Sequence, residues 1–257
     1  PQMAAAPTEI RNNALLEIKA ALLANRKAIF DANAQDLEQA QQNNIPEAVV
    51  KRLKFTEQKL LDVTNGLENL TALADQVHQV QFIRELDEGL TLVRESCPIG
   101  VIGVIFEARP DALVQIASLC IKSGNCAILK GGSETMHTNK VLFDLIYHAA
   151  VQTGLPENCL FQAELREEIS ALLSCHESVD LIIPRGSNAF VQYIMNNTKI
   201  PVMGHADGIC HIYVDKDFDV EKAIPVILDA KTQYTAACNA VETLLIHKDA
   251  LDILMPR

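Results

Sequence analysis

The sequence predicts an α/β protein with a doubly wound parallel sheet, preceded by a layer of helices. Two observations carry this prediction. From residue 98 onward, short apolar runs without polar alternation, typical of buried parallel strands, alternate with stretches of helical periodicity. Residues 8–74, in contrast, show apolar side chains at helical spacing, separated by polar stretches rich in Asn, Gln and Asp.

The N-terminal layer is expected to be a set of packed helices without chemistry of its own. Thr8 follows Pro7 and is expected to cap the first helix. Pro46 is expected in the first turn of a later helix, where its missing N–H and fixed φ are tolerated.

A hairpin is predicted at residues 80–96, where two short β-prone runs flank Asp87, Glu88 and Gly89. A ribbon that projects from a helical layer has two unpaired edges, and such edges usually need a partner. Two interpretations therefore stay open: an oligomerisation arm, or a local ribbon packed on its own domain.

The βα units follow from residue 98. Apolar runs predict strands at 99–106, 126–130, near 160, 179–183, 201–203, 212–214 and 241–247. Helical periodicity predicts helices at 111–123, 134–153, 165–174, 187–196 and 220–231, and a further helix begins close to residue 257. Strands and helices in this alternation form βαβ units, which is why a parallel sheet is expected.

Composition argues against several function classes. The net charge is −11 and no run rich in Lys and Arg occurs, so no nucleic-acid face is expected. No apolar run approaches the roughly 18 residues of a membrane span, and the first ten residues lack the features of a secretory signal. The seven cysteines show no paired spacing, which indicates free thiols in a reducing, cytoplasmic environment.

Ligands of a doubly wound sheet bind outside the carboxyl ends of its strands, so the residues that follow each strand form the candidate site. After the first strand, Arg109 stands between an apolar run and a helix start, with Glu107 close by in sequence. A guanidinium and helix N-terminal amides together suit an anion such as phosphate. The alternative is a surface ion pair between Arg109 and Glu107.

A second turn combines a basic residue with glycine. Lys130 is followed by Gly131, Gly132, Ser133 and Glu134. The glycines allow the backbone to approach a ligand closely. A lysine with a serine suits the ribose 2′-phosphate of NADP, and the alternative is an ordinary Gly-Gly turn.

The third turn holds Arg185, Gly186 and Ser187, again between an apolar strand and a helix. A pyrophosphate fits this helix N-terminus, and the alternative is a plain turn in which Ser187 caps the helix. Three such turns at successive strand ends are more persuasive together than each is alone.

Cys238 differs from the other six cysteines because it lies in a loop of small and polar residues. A free cysteine is most often a buried small hydrophobe, whereas a nucleophile needs exposure and a positive potential. Spacing alone therefore makes Cys238 a candidate nucleophile and leaves the role open. His205, Cys210 and His211 lack a fourth ligand and match no zinc pattern, so no metal is expected.

Five motifs, in order, resemble the γ-glutamyl phosphate reductases, which belong to the aldehyde dehydrogenase superfamily. The motifs lie at residues 98–110, 129–134, 182–187, 204–215 and 238–245, and the resemblance runs from about residue 10 to the end. It implies an NADP-binding, Rossmann-like domain over residues 1–229, whose hairpin at 80–97 is an oligomerisation arm. It also implies that residues 230–257 begin a second α/β catalytic domain, and that the full-length protein is a homo-oligomer.

The resemblance implies a reaction as well. The Cys238 thiolate attacks the acyl phosphate of L-glutamyl 5-phosphate, phosphate leaves, and NADPH reduces the thioacyl enzyme to L-glutamate 5-semialdehyde. Arg109, Glu107 and Asn239 are expected to bind the substrate. The residues expected to bind NADP(H) are Lys130, Gly131, Gly132, Ser133, Glu134, Arg185, Gly186 and Ser187. Glutamate 5-kinase is the protein partner that the resemblance implies.

Two positions depart from ordinary aldehyde dehydrogenases. Ala108 stands where they carry an oxyanion-binding Asn, and Gly204 stands where they carry the Glu that activates water. An enzyme that reduces its thioester needs no activated water, so Gly204 favours a reductase over a hydrolytic aldehyde dehydrogenase. The family continues past residue 257, so a C-terminal truncation is expected. The alternatives are then an inactive nucleotide-binding or oligomerising fragment, or a piece of a former bifunctional kinase–reductase.

Overall fold

The structure is a computed structural model that describes residues 1–164, 167–204, 208–235 and 239–256, apart from the side chain of Ala48. The chain divides into two compact units, Pro1–Gly204 and His205–Arg257. The domain boundary expected from the sequence, between residues 229 and 230, stays a prediction. In the part of the chain that is described, no helix is both long enough and apolar enough to cross a membrane.

The first unit begins with the expected helical layer. Its four helices are α1 (Thr8–Ala24), α2 (Arg26–Gln42), α3 (Glu47–Leu53) and α4 (Glu57–Ala72). The apolar face of α1 is fully buried, which explains its helical spacing of apolar residues.

Two expectations for the ends of these helices were wrong by one position. Pro7, not Thr8, occupies the cap position of α1, and the Thr8 hydroxyl donates instead to Asp75. Pro46 likewise precedes the first residue of α3 and does not lie inside its first turn. In both cases a proline with extended backbone ends the preceding segment, and helical dihedrals start at the next residue.

The predicted hairpin is confirmed. Strands β1 (Val80–Asp87) and β2 (Leu90–Glu95) pair in antiparallel fashion, and Gly89 takes a positive φ of 71° in the turn between them. Every residue of both strands is exposed, so the ribbon buries little apolar surface against its own chain.

The doubly wound parallel sheet is confirmed as well. Its strands are β3 (Val101–Ile105), β4 (Cys126–Lys130), β5 (Leu160–Ala163) and β6 (Leu181–Pro184). They lie in the order β5-β4-β3-β6, and all pairs are parallel. The first strand of the sheet, β3, is therefore an inner strand. Strands β4 and β5 follow on one side of it, and β6 pairs with its other side.

Helices cover both faces of this sheet. They are α5 (Pro110–Lys122), α6 (Met136–Gln152), α7 (Glu167–Ser174) and α8 (Asn188–Asn196). One buried cluster joins α5 and α6 to α1 and α4, and a second joins α7 and α8 to β6. The strand expected at 201–203 was wrong: only Val202 makes an isolated bridge, to Ile182.

The second unit confirms the strands expected at 212–214 and 241–247 and the helix expected at 220–231, but the two strands form a parallel sheet of their own, which the sequence did not indicate. Strand β7 (Cys210–Val214) pairs with β8 (Val241–Ile246), and helix α9 (Val220–Thr232) connects them. Helix α10 (Lys248–Leu254) follows. No described residue of α9 is buried.

Candidate active site

The three predicted turns meet at the carboxyl edge of the first unit's sheet. The Phe106 amide donates to the Lys130 carbonyl over 2.9 Å, and the Arg185 amide donates to the Ile105 carbonyl over 2.7 Å. The strand order reverses between β3 and β6, so the turns flank the switch point where doubly wound sheets form their ligand crevice.

The turn after β3 is held in an uncommon backbone conformation. Ala108 has a φ of 50°, in the left-handed region where a Cβ is unfavourable. Its amide donates to Glu134 Oε1 over 3.1 Å, and its side chain is buried with Ala40 and Leu53 of the helical layer. Contacts from two other parts of the chain therefore stabilise the strained turn.

Arg109 and Glu107 do not form the surface pair that was the alternative interpretation, since no ion pair joins them in the described ranges. Arg109 is exposed and immediately precedes α5. The Glu107 carboxyl lies beside Gly186, where an added Cβ would come within 3.3 Å of it. Burial, followed by the nearby Glu134 carboxylate, raises the pKa of Glu107 above its usual value.

The turn after β4 combines a buried cation with bare backbone. Lys130 is only 6% exposed, and its Nζ donates to the Gly131 carbonyl over 2.7 Å. Burial lowers the pKa of Lys130, while Glu168 and Glu134 act in the opposite direction. Burial outweighs these two carboxylates, so the surroundings of Lys130 lower its pKa overall.

An added side chain in this turn would meet the ends of neighbouring side chains. A Cβ on Gly131 would collide with Asn139 Nδ2, and a Cβ on Gly132 would lie 2.6 Å from the Glu134 carboxyl carbon. The turn therefore keeps a bare backbone surface, which suits close approach by a phosphate or ribose group.

The turn after β6 leads into α8. Ser187 occupies the cap position, and its hydroxyl accepts from the Phe190 amide over 3.3 Å, so the capping interpretation is confirmed. The phosphate-binding interpretation stays a prediction, and it is compatible with that cap. Arg185 is exposed and lies two residues before the cap residue Ser187, so a cation closely precedes this helix N-terminus in the chain.

The candidate nucleophile, Cys238, lies outside the described residues, as does His205. Asn239 is described, is exposed, and precedes β8 in the second unit. The meeting of Cys238 and Asn239 with the three turns therefore stays a prediction. In the described ranges, no cluster of three or more His, Cys, Asp or Glu side chains could hold a metal ion.

Burial lowers the reactivity of two of the other cysteines. Cys120 and Cys159 are free thiols, and burial, followed by the neighbouring Cys126, raises their pKa values to about 12 and about 11. A thiol with such a pKa is almost entirely protonated near neutral pH and is a poor nucleophile.

Sequence reasoning missed one buried residue that contacts the site region. Asp36 of α2 accepts hydrogen bonds from the His137 and Thr138 amides at the start of α6. The sequence carried no signal of this contact, because Asp36 and α6 are about a hundred residues apart, and only the structure shows that Thr135, at the cap position of α6, makes no side-chain cap bond of its own.

The sequence model of the aldehyde dehydrogenase family matches residues 2–257. The chain belongs to the aldehyde dehydrogenase family. Membership agrees with the fold, since the doubly wound sheet and its three turns lie within the matched residues.

Within this aldehyde dehydrogenase family, the chain is similar to γ-glutamyl phosphate reductases. It is 51% identical, over 255 residues, to the γ-glutamyl phosphate reductase of Ruminiclostridium cellulolyticum. That alignment covers 99% of this chain and 59% of the relative. The chain thus spans about three fifths of that protein's length.

Two solved structures of γ-glutamyl phosphate reductases resemble the fold. The Thermotoga maritima structure has a TM-score of 0.93 and 34% identity, covering 99% of this chain and 62% of its own. The Saccharomyces cerevisiae structure has a TM-score of 0.75 and 43% identity, covering 96% and 62%. These likenesses confirm the resemblance inferred from the five motifs.

Proposed function

We propose that this chain carries the nucleotide-binding half and the nucleophile of an NADPH-dependent reductase. Its substrate is L-glutamyl 5-phosphate, and its products are L-glutamate 5-semialdehyde and phosphate, a step of proline synthesis in the cytoplasm. The observation that carries the proposal is the 51% identity to a γ-glutamyl phosphate reductase across 99% of the chain. The meeting of three basic or glycine-rich turns at the sheet edge supports it.

The cofactor residues of the first unit fit a dinucleotide phosphate. Ser187 and the α8 amides would hold the pyrophosphate, with Arg185 beside them. Lys130 and the bare backbone of 131–132 would hold the adenosine ribose and its 2′-phosphate. When bound there, NADPH supplies the hydride for the reduction.

The chain's own residues would divide the acyl-transfer step as follows. The Cys238 thiolate forms a bond to the γ-carbonyl carbon, and the carbon–oxygen bond to phosphate breaks. The guanidinium of Arg109 would stabilise the departing phosphate, and Asn239 would donate to the carbonyl oxygen as it gains charge. Addition of a hydride and a proton to the thioester then gives the aldehyde and the free thiol.

Gly204 supports reduction over hydrolysis. An added Cβ at Gly204 would lie 3.1 Å from Met195 Sδ and 3.2 Å from Val191 Cγ1, so the neighbours leave little room for a larger side chain. Without a carboxylate base at this position, water near the thioester is not activated. The thioester intermediate is then reduced by hydride and not hydrolysed.

The test runs the reaction backwards. The chain is mixed with glutamate 5-semialdehyde, phosphate and NADP⁺, and NADPH formation is followed by absorbance. We expect phosphate-dependent NADPH formation that Cys238→Ser lowers by roughly a thousandfold or more. Cys175→Ser is the matched control, because Cys175 is an exposed free thiol in the first unit, and this variant should keep the parent rate. Oxidation that does not need phosphate would instead favour a hydrolytic dehydrogenase.

A second candidate function is a binding module without turnover, which fits a chain that spans 59% of its relative. NADPH titration combined with thiol labelling separates the two. In the reductase, Cys238 should react much faster than Cys120 and Cys159, whose raised pKa values make them internal references. NADPH binding together with equally slow labelling of all three thiols would favour the binding module.

The hairpin favours self-association in either case. Its exposed apolar residues are Val80, Phe82, Ile83, Leu86, Leu90, Leu92 and Val93. Ile83 and Val93 pair across the ribbon, so replacing both with Thr removes one apolar patch while keeping β propensity. Sedimentation should show an oligomer for the parent and smaller species for the double variant; a monomeric parent would refute the arm.

A further inference from the structure

Helix α6 begins without a cap of its own. Thr135 occupies the cap position, and its side chain makes no cap hydrogen bond. An N-cap side chain normally accepts hydrogen bonds from the second and third amides of its helix, which here belong to His137 and Thr138. In this structure they donate instead to the two carboxylate oxygens of Asp36, over 3.0 and 2.8 Å. Asp36 lies in α2, about a hundred residues earlier in the chain.

The contact between Asp36 and the start of α6 is buried and has several hydrogen bonds. Asp36 is 2% exposed, and the Thr138 hydroxyl also donates to it over 2.5 Å. Asn33, one turn before Asp36 in α2, donates from Nδ2 to the Thr138 hydroxyl over 3.2 Å. Asn33 Oδ1 in turn accepts from the Phe55 amide over 2.8 Å. A buried carboxylate with three donors at a helix N-terminus is favoured by both the hydrogen bonds and the helix dipole.

The first turn of α6 is hydrogen-bonded in turn to the glycine turn at 131–132. Asn139 Nδ2 donates to the Thr135 hydroxyl over 2.9 Å, and that hydroxyl donates to the Gly132 carbonyl over 3.3 Å. The Thr135 amide also donates to the Gly132 carbonyl. The position of Gly132 is therefore tied, through Thr135 and α6, to a carboxylate in the N-terminal layer.

The two helices that start at the sheet edge differ in this respect. The α6 N-terminus is occupied by the negative charge of Asp36, so it disfavours a second anion. The α8 N-terminus is capped by the neutral Ser187 hydroxyl, with Arg185 next to it. The pyrophosphate should therefore bind at α8, while Lys130 and the backbone of 131–132 receive the adenosine ribose and its 2′-phosphate.

We propose that Asp36 is a positioning residue for dinucleotide binding. It acts from the helical layer by capping α6 and by fixing the backbone of turn 131–135. The inference rests on the proposed function, since it assumes that the turn takes NADPH. It gives the helical layer a part in recognition that its sequence did not indicate.

The test compares Asp36→Asn with the parent chain in NADPH titrations, at a temperature where both are folded. Asn keeps the shape, but its NH₂ group would face a backbone donor, so the cap is weakened. We expect the NADPH dissociation constant to rise about tenfold. Hydrogen exchange of the 131–139 amides should accelerate by a similar factor, roughly tenfold or more. In the reverse turnover assay, KM for NADP⁺ should rise while kcat changes little.

Asp75→Asn is the matched control. Asp75 is also a mostly buried carboxylate of the first unit, and it accepts from Arg11 and from the Val77 amide without touching the turn. This variant should lose stability but keep the parent NADPH affinity. Equal weakening of binding by both variants would reduce Asp36 to a general stability role and overturn the proposal.

Thr138→Val keeps the test decisive if Asp36→Asn does not fold. It removes one hydroxyl contact to Asp36 but keeps the two amide bonds, so we expect a smaller loss of affinity, about threefold. Parent-like affinity in Thr138→Val, or in Asp36→Asn, would overturn the inference. A parent chain that binds no NADPH at all would instead overturn the proposed function.

Discussion

The two units of the chain differ in how many apolar side chains each one buries. In the first unit, helices cover both faces of a four-stranded sheet, and α1 alone contributes five buried residues. In the second unit, a two-stranded sheet and two helices bury few described side chains, namely Val214, Ala240, Val241, Ala250 and Leu254. Apolar residues such as Tyr213 and Leu245 stay exposed.

This difference separates two requirements of the proposed enzyme. The cofactor turns are placed by a sheet whose core is closed, so their geometry is well determined within one unit. The segment that carries the nucleophile candidate belongs to the unit with the small core, and small cores supply little net stability. Changes in the first unit should therefore alter folding, whereas similar changes in the second should be tolerated.

The most direct way to break this comparison is a matched pair of leucine truncations. Leu142 of α6 is completely buried, whereas Leu245 of β8 is 47% exposed. Leu142→Ala should lower the free energy of unfolding by about 2–5 kcal/mol, because it leaves a cavity in the larger core. Leu245→Ala should cost less than about 1 kcal/mol. Urea denaturation followed by circular dichroism measures both.

A Leu245→Ala loss as large as that of Leu142→Ala would contradict the comparison, since it would require β8 to be part of a closed core. The two variants remove the same atoms, so intrinsic side-chain differences cancel. Any remaining difference reports burial, together with the different propensities of alanine for helix and strand, which amount to less than about 1 kcal/mol.

Local patterns in the sequence predicted most of the first unit. Strand β4 was placed at its observed bounds, because an apolar run bounded by polar residues is a short-range signal. The Ser187 cap was found in the same way. The positive φ of Ala108 and the cap supplied by Asp36 were not, because both depend on partners far away in the chain. Strands β7 and β8 were predicted, but their pairing in a sheet of their own was not, for the same reason.

Acid should act on the first unit through Asp75. Burial of Asp75 opposes ionisation, but hydrogen bonds from Thr8, Arg11 and the Val77 amide, with the Arg11 charge, lower its pKa from 3.8 to about 2. A depressed carboxyl pKa stabilises the fold above the unfolded-state value, and this contribution is lost as the pH falls from 3.8 towards 2. The shift corresponds to about 2 kcal/mol.

Urea titrations at a series of acidic pH values test this contribution. The parent should lose stability over that pH interval, and Asp75→Asn, less stable at neutral pH, should lose correspondingly less. Parallel pH profiles for parent and variant would show that Asp75 is not the responsible carboxyl group.

The smallest expected stability effect is that of a substitution in the glycine turn, which should weaken NADPH binding more than folding. In Gly132→Ala, the new Cβ would displace the Glu134 carboxyl, which would then release the Ala108 amide. Because a flexible side-chain end can move away, the stability cost should stay below about 1 kcal/mol. NADPH affinity should nevertheless fall by about fivefold, since the bare backbone and the Glu134 contact are both lost.

Gly66→Ala is the matched control for that substitution. Gly66 lies inside α4, and an added Cβ there meets no atom within 4 Å. The alanine should stabilise the helix by about 0.5–1 kcal/mol and leave NADPH binding unchanged, because α4 does not contribute to the turns. If Gly132→Ala instead bound NADPH as tightly as Gly66→Ala does, turn 131–135 would be a structural turn only. The closed core of the first unit would then serve folding without serving the cofactor.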